Sequence, residues 1–226
     1  MQPSIWSGAR LVFRKEAACA LRNRASWASM LMFSLTALAA LSFALRGAPP
    51  APRLAAGLLW VVLFFSAEAG IGRAFLDESA GGTLLALRIY AGAQAVFFGK
   101  LLYTFFVLAI LVFFDIVLFQ LFLGFSLDGL RSFFVFCLVV LFGIWGIAAA
   151  GVIVSALAVG AGARNGLFSV LMLPVVLPVF LPALSLTGDL FGAAEPVLSL
   201  LGVMALYDMI LTLGASWLFD FVWQEL

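Results

Sequence analysis

The sequence predicts an all-α integral membrane protein with six transmembrane helices and an N-terminal helix lying in the membrane interface. Three observations carry that reading. Apolar residues fill 65% of the 226 positions and charged residues only 10%, where a soluble domain carries about 25% charged residues. The mean hydropathy is +1.22, so too few polar groups exist to cover a globular surface and lipid must be the solvent. The apolar residues are also gathered into six long runs, each close to the roughly 20 residues that cross a bilayer as a helix.

The first element is the basic stretch 1–24. At 100° per residue Ile5, Trp6, Ala9, Val12 and Phe13 fall within about 120° of one another, while Ser7, Arg10 and Arg14 take the opposite face. A basic face backed by an apolar, Trp-bearing face is the pattern of a helix in the headgroup region. The six spans follow at 25–45, 54–72, 101–124, 132–159, 167–187 and 197–219, so residues 25–226 form a six-span domain. The first run is too long for a signal-peptide core, and no soluble mature chain follows it.

Lysine and arginine set the orientation. Arg10, Arg14, Lys15, Arg22, Arg24, Arg73, Arg88, Lys100 and Arg164 share one side with both termini, against Arg46, Arg53 and Arg131 on the other. Both termini are therefore expected in the cytoplasm. The last outer loop carries Asp189 and Glu195 without a base, in agreement. The largest non-membrane piece is the cytoplasmic loop 73–100. It is too short for a catalytic domain, and its run from Asp77-Glu78-Ser79 through Gly81-Gly82 to Thr83-Leu84-Leu85-Ala86-Leu87 reads as the start of a short helix. Such a helix is either a docking element for a cytoplasmic partner or a plain connector.

Several function classes are excluded. Histidine is absent, which removes the usual zinc ligand, the usual general base and the commonest axial ligand of haem iron. A phosphate-binding G-x-x-x-x-G-K-[ST] loop is missing, because Gly99-Lys100 is followed by Leu101 and Gln94 stands where the first glycine belongs. Gly160-Ala161-Gly162-Ala163-Arg164-Asn165-Gly166 looks like a phosphate loop but follows a membrane run, so it reads as a flexible turn. Any ATP-driven step needs another chain. No nucleophile–base or metal constellation appears, so the chain is expected to be non-catalytic, with no catalytic residue and no metal. Cys19 and Cys137 make no disulfide framework and read as small apolar packers.

Within the spans, Gly143, Gly146, Gly151 and Ser155 form a small-residue seam for close helix packing, or for a lined pathway. Pro174, Pro178 and Pro182 fall on one face of the fifth span and distort it, either as a bent helix lining a cavity or as a kink for packing. Glu68, Asp115 and Asp208 are intramembrane acids, which usually face a cavity or a partner. No base lies deep in a span to pair with them.

The order of these features resembles the family of haem exporter protein B, the CcmB membrane subunit of the cytochrome c maturation ABC transporter. Three stretches carry the likeness: Leu54-Ala55-Ala56-Gly57-Leu58-Leu59-Trp60-Val61 through Ser66 to Arg73-Ala74-Phe75 and Asp77; Gly82-Thr83-Leu84 through Leu87 to Gly99-Lys100; and Arg164 through Leu173-Pro174 and Leu177-Pro178. The chain departs from the family in having Gly72 where an acid usually precedes the arginine, Leu85 in place of a glutamate, and Ile89-Tyr90-Ala91-Gly92 in place of a Leu-Pro.

The resemblance implies the six-span fold of an ABC-2 (type-2) exporter half. It implies two copies of this chain with two copies of a separate ATPase, CcmA, docked on Arg73, Phe75, Asp77, Gly82, Leu84 and Leu87. It further implies CcmC and the small CcmD as membrane partners, and ATP hydrolysis linked to release of the haem-loaded chaperone CcmE from CcmC. Haem is then a handled or transported ligand rather than a resident cofactor, the setting is a bacterial inner membrane, and nucleic acid plays no part. Two rivals stay open: an ABC-2 permease for a drug or lipid, and a proton-coupled secondary carrier using the three acids. Against the carrier, no inverted repeat of the kind many carriers show is apparent.

Overall fold

A computed structural model describes residues 4–22, 24–71, 87, 91–160 and 166–225. Seven long helices follow in chain order: α1 Ile5–Arg22, α2 Arg24–Ala44, α3 Pro52–Ile71, α4 Ala93–Phe122, α5 Gly129–Gly160, α6 Gly166–Phe191 and α7 Ser199–Glu225. Among the described residues there is no strand. All but α1 are long and apolar enough to cross a membrane, as the six apolar runs predict.

The third span starts earlier than its hydropathy suggests. Ala93 to Lys100, expected in the loop, are the first two turns of α4. Local signals set the ends. Pro52 occupies the first position of α3, where a fixed φ suits the helix and no N–H is missed. Gly124, at φ 67°, closes α4 by donating its N–H to the Phe119 carbonyl at 3.1 Å, a left-handed stop natural to glycine.

α5 is the packing centre, in contact with α3, α4, α6 and α7. The expected seam is present, and each glycine admits a different neighbour. Gly143 receives the Trp60 ring of α3, Gly146 receives Asp208 of α7 and Val179 of α6, and Gly151 receives Ile71 of α3. Ser155, also buried, turns its hydroxyl back to the Val152 carbonyl at 3.0 Å. Close packing is thus the seam's role.

Hydrogen bonds between side chains complete the bundle. Trp60 Nε1 donates to Thr187 Oγ1 at 2.9 Å, joining α3 to α6. Trp145 Nε1 donates to Thr212 Oγ1 at 3.0 Å, joining α5 to α7. Tyr207 Oη donates to the Val175 carbonyl at 2.6 Å, next to the Pro174 carbonyl that Pro178 deprives of its donor.

The two ends of the bundle differ. At one end Phe119, Phe125, Phe136 and Phe191 form a ring cluster with centroids 4.8 to 6.4 Å apart, and Arg131 pairs with Glu195 at 3.2 Å in the open. The other end gathers α1, the start of α4 and the end of α7, where Gln94 Nε2 donates to Asp220 Oδ2 at 3.1 Å.

The two cysteines are free and exposed rather than packed inside. Cys19 lies on the outer side of α1, and Cys137 on the outer side of α5.

Because the Trp60 ring lies where a side chain at 143 would go, Gly143→Ala should lower the unfolding free energy by about 1–3 kcal/mol. Gly202→Ala, beside which nothing lies within 4 Å, should leave it unchanged or raise it. SDS titrations of the two variants in mixed micelles make the comparison.

Candidate functional site

The charge chemistry of the bundle is concentrated where α1 crosses the start of α4. The crossing is possible because Gly99 has no side chain: a Cβ there would lie 2.6 Å from the Val12 Cβ and 2.7 Å from the Ala9 carbonyl oxygen. Around that contact Phe13 sits edge-on to Tyr103 and Phe106, and Trp6 lies against Phe98. The apolar face read from the sequence, with Ala9 and Val12 buried, is therefore seated on α4 rather than turned wholly to lipid.

Lys100, one residue beyond the crossing, has 1% of its side chain exposed and pairs with Glu16 at 2.9 Å. Lys15 meets the same carboxylate at 3.1 Å. Burial alone raises the Glu16 pKa, but the charges and hydrogen bonds of Lys100 and then Lys15 outweigh it and hold the carboxyl below its ordinary 4.5. A base does then lie inside a span, contrary to the sequence reading that left Lys100 in the loop.

Glu16 itself was not singled out. The signal was there: at 100° per residue it falls among Ala9 and Val12 on the apolar face, and an acid on a face that will be buried calls for a cation.

The intramembrane acids are placed separately. Asp115 of α4 is fully buried; Ser34 of α2 donates to its Oδ1, and its Oδ2 has no hydrogen-bond partner among the described residues. Asp208 of α7 is buried against Gly146 with neither oxygen hydrogen-bonded among the described residues. Glu68 of α3 is half-buried, and its Oε1 likewise lacks such a partner. No hydrogen bond or ion pair joins the three among the described residues, and no acid, cysteine or histidine cluster there could hold a metal.

Ser34, which the sequence does not mark out, belongs to a polar seam that fastens α2 to α4. Ser34 meets Asp115 midway, and Ser42 Oγ donates to the Phe122 carbonyl at 3.1 Å near one end.

Pro174, Pro178 and Pro182 lie inside α6, which runs unbroken. Pro174 and Pro178 are exposed on the outer surface. Beside them is a shallow apolar groove lined by Phe64, Leu173, Val176, Leu177 and Phe180; the prolines flank it and do not line it.

Of the residues expected to dock an ATPase, Arg73, Phe75, Asp77, Gly82 and Leu84 lie outside the described residues. So do residues 161–165 of the glycine-rich turn. Leu87 is described: it packs on the core, and its carbonyl accepts the Ala91 N–H at 3.0 Å. Ala91 lies two residues before α4 begins.

Six helices long and apolar enough to cross a membrane make this a multi-pass membrane protein. The particular family is CcmB: the chain matches the CcmB protein family over residues 8–216 and belongs to it. CcmB proteins are permease components of ABC-type haem export in cytochrome c maturation, so this is a membrane transport protein of cytochrome c-type biogenesis. No curated protein matches the chain by sequence.

The depressed carboxyl fixes a pH window. The pair's contribution is complete above the ordinary carboxyl value and is lost as the pH falls through the lower folded value. A spin label on Cys19, with Cys137→Ser, should keep α1's docked mobility from neutral pH to below 4.5 and loosen only in stronger acid. Glu16→Gln should be loose at every pH.

Proposed function

We propose that this chain is the membrane half that turns ATP hydrolysis on a separate CcmA-type subunit into movement of the cytochrome c maturation complex. Two copies work with two ATPase subunits in a bacterial inner membrane, termini in the cytoplasm, beside CcmC- and CcmD-like proteins. The movement releases the haem-loaded chaperone CcmE from its CcmC partner, and haem is handled as cargo rather than held as a cofactor. The ATPase docks on the loop that includes Arg73, Phe75, Asp77, Gly82, Leu84 and Leu87.

The observation that carries the reading is the anchoring of that loop's far end. Leu87 and Ala91 are packed on the core and the Leu87 carbonyl accepts the Ala91 N–H; α4 begins two residues later and packs against α1, α2, α3, α5 and α7. Side-chain contacts lead on from α4: Glu16–Lys100 to α1, Gln94–Asp220 to α7, and Ser34–Asp115 to α2. Displacement of the loop moves α4 as a rod, and these contacts carry the motion to its neighbours, since coupling travels through packed and hydrogen-bonded chains of residues.

Cells lacking the gene should lose haem-stained c-type cytochromes and regain them with a plasmid copy; unchanged bands would remove haem maturation from the reading. The same plasmid with residues 77–84 deleted should give a chain that unfolds at the wild-type temperature but no longer co-purifies with the ATPase. Co-purification that persists would refute docking through the loop.

A further inference from the structure

The face of α1 turned away from α4 has no assigned role. Glu16 is the only acid of this helix, and it is turned inward to Lys100 and Lys15. Arg10 and Arg14 are exposed on the opposite side, and neither has an ion-pair partner among the described residues. At 100° per residue Trp6, Ala17, Arg10, Leu21 and Arg14 follow one another around the helix within about 80°. Leu21 is 78% exposed and Trp6, at the border with α4 where its ring touches Phe98, is still 69% exposed, so the cations stand among large apolar side chains that the fold leaves mostly uncovered.

The position of α1 says what covers this edge. Phe13 rests on Phe106, the first member of an outward stripe on α4 that continues through Ile110, Phe113, Val117 and Leu121, each between 38% and 73% exposed. On a span of this composition such a stripe faces lipid tails. α1 lies across the Phe106 end of the stripe, and a helix with a cationic face beside an apolar one belongs at the level of the headgroups. There an exposed tryptophan and leucine enter the acyl boundary, while guanidinium forks meet phosphate bidentately.

We propose that the outer edge of α1 is a binding site for anionic phospholipid, with Arg10 and Arg14 on the headgroup phosphate and Trp6 and Leu21 in the adjoining acyl layer. A zwitterionic lipid offers the same phosphate with a compensating ammonium and is bound less well, because α1 has no acid besides the inward Glu16 to receive that ammonium. The inward turn of Glu16 is what leaves the edge purely cationic.

The detergent-solubilised full chain, titrated with phosphatidylglycerol or phosphatidylcholine and read by native mass spectrometry, tests the site. The expected result is roughly fivefold or greater retention of phosphatidylglycerol over phosphatidylcholine. That preference should fall to near unity in the R10Q/R14Q double variant and persist in R131Q at the opposite end. Neither arginine belongs to the Glu16–Lys100 pair, so an unchanged unfolding temperature verifies the fold. Equal retention of the two lipids by the wild type, or a preference that survives R10Q/R14Q, would overturn the proposal. Loss of ATPase co-purification in R10Q/R14Q with lipid preference intact would likewise overturn it and make the edge a protein-docking surface.

Discussion

A lysine ammonium withdrawn from water inside a chain built for lipid needs a carboxylate withdrawn with it, and Lys100 meets this demand through Glu16. Taking one charge out of water is expensive, and removing one partner of such a pair leaves the other buried without compensation. Glu16 must therefore stay against α4, and with it α1. The approach is close enough to require glycine at position 99, where any side chain would meet Val12 and the Ala9 carbonyl. The seating of Trp6 and Phe13 on α4, the inward acid and the cationic outer edge of α1 all follow from this one pairing.

Elsewhere, close packing and hydrogen bonds join the spans. Helices in lipid gain nothing from the hydrophobic effect by touching one another, so close packing and a few hydrogen bonds must suffice. Gly143, Gly146 and Gly151 supply the closeness on α5. Trp60–Thr187, Trp145–Thr212 and Tyr207–Val175 supply the bonds. The seam between α2 and α4 relies on Ser34–Asp115 and Ser42–Phe122. A helix held at a few polar points can shift against its neighbour while keeping its own backbone bonds, as the proposed ATP-driven movement requires.

The six spans were legible because a bilayer demands long apolar runs and little else resembles them. The glycine seam was legible as a seam, but that it packs rather than lines a pathway appears only once Trp60, Asp208, Val179 and Ile71 are seen to enter it. The acids at 68, 115 and 208 stood out because carboxylates are rare at such depth, but periodicity cannot name a partner on another helix, so Ser34 was silent. Lys100 was misplaced because counting basic residues assigns each to a loop by default, and only the carboxylate of Glu16 makes burial possible. The amphipathic face of α1 was read correctly as a face; that α4 takes it depends on Gly99, whose meaning appears only once two backbones meet. The proline triplet showed its shared face, and the exposure of Pro174 and Pro178 on the outer surface was set by packing that no local pattern encodes.

Membership of the CcmB family places the chain in haem export and cytochrome c maturation, and the geometry makes α4 the member through which its neighbours are joined. The central claim is that Glu16 and Lys100 act as one unit holding α1 to α4. A double-mutant cycle on the unfolding free energy of the full chain, with Glu16→Gln, Lys100→Gln and both together, tests it most directly. Each single change should cost about 3–5 kcal/mol, and the double change much less than their sum, because no uncompensated charge is left. Strictly additive losses, or single losses no larger than those of an exposed pair, would contradict it.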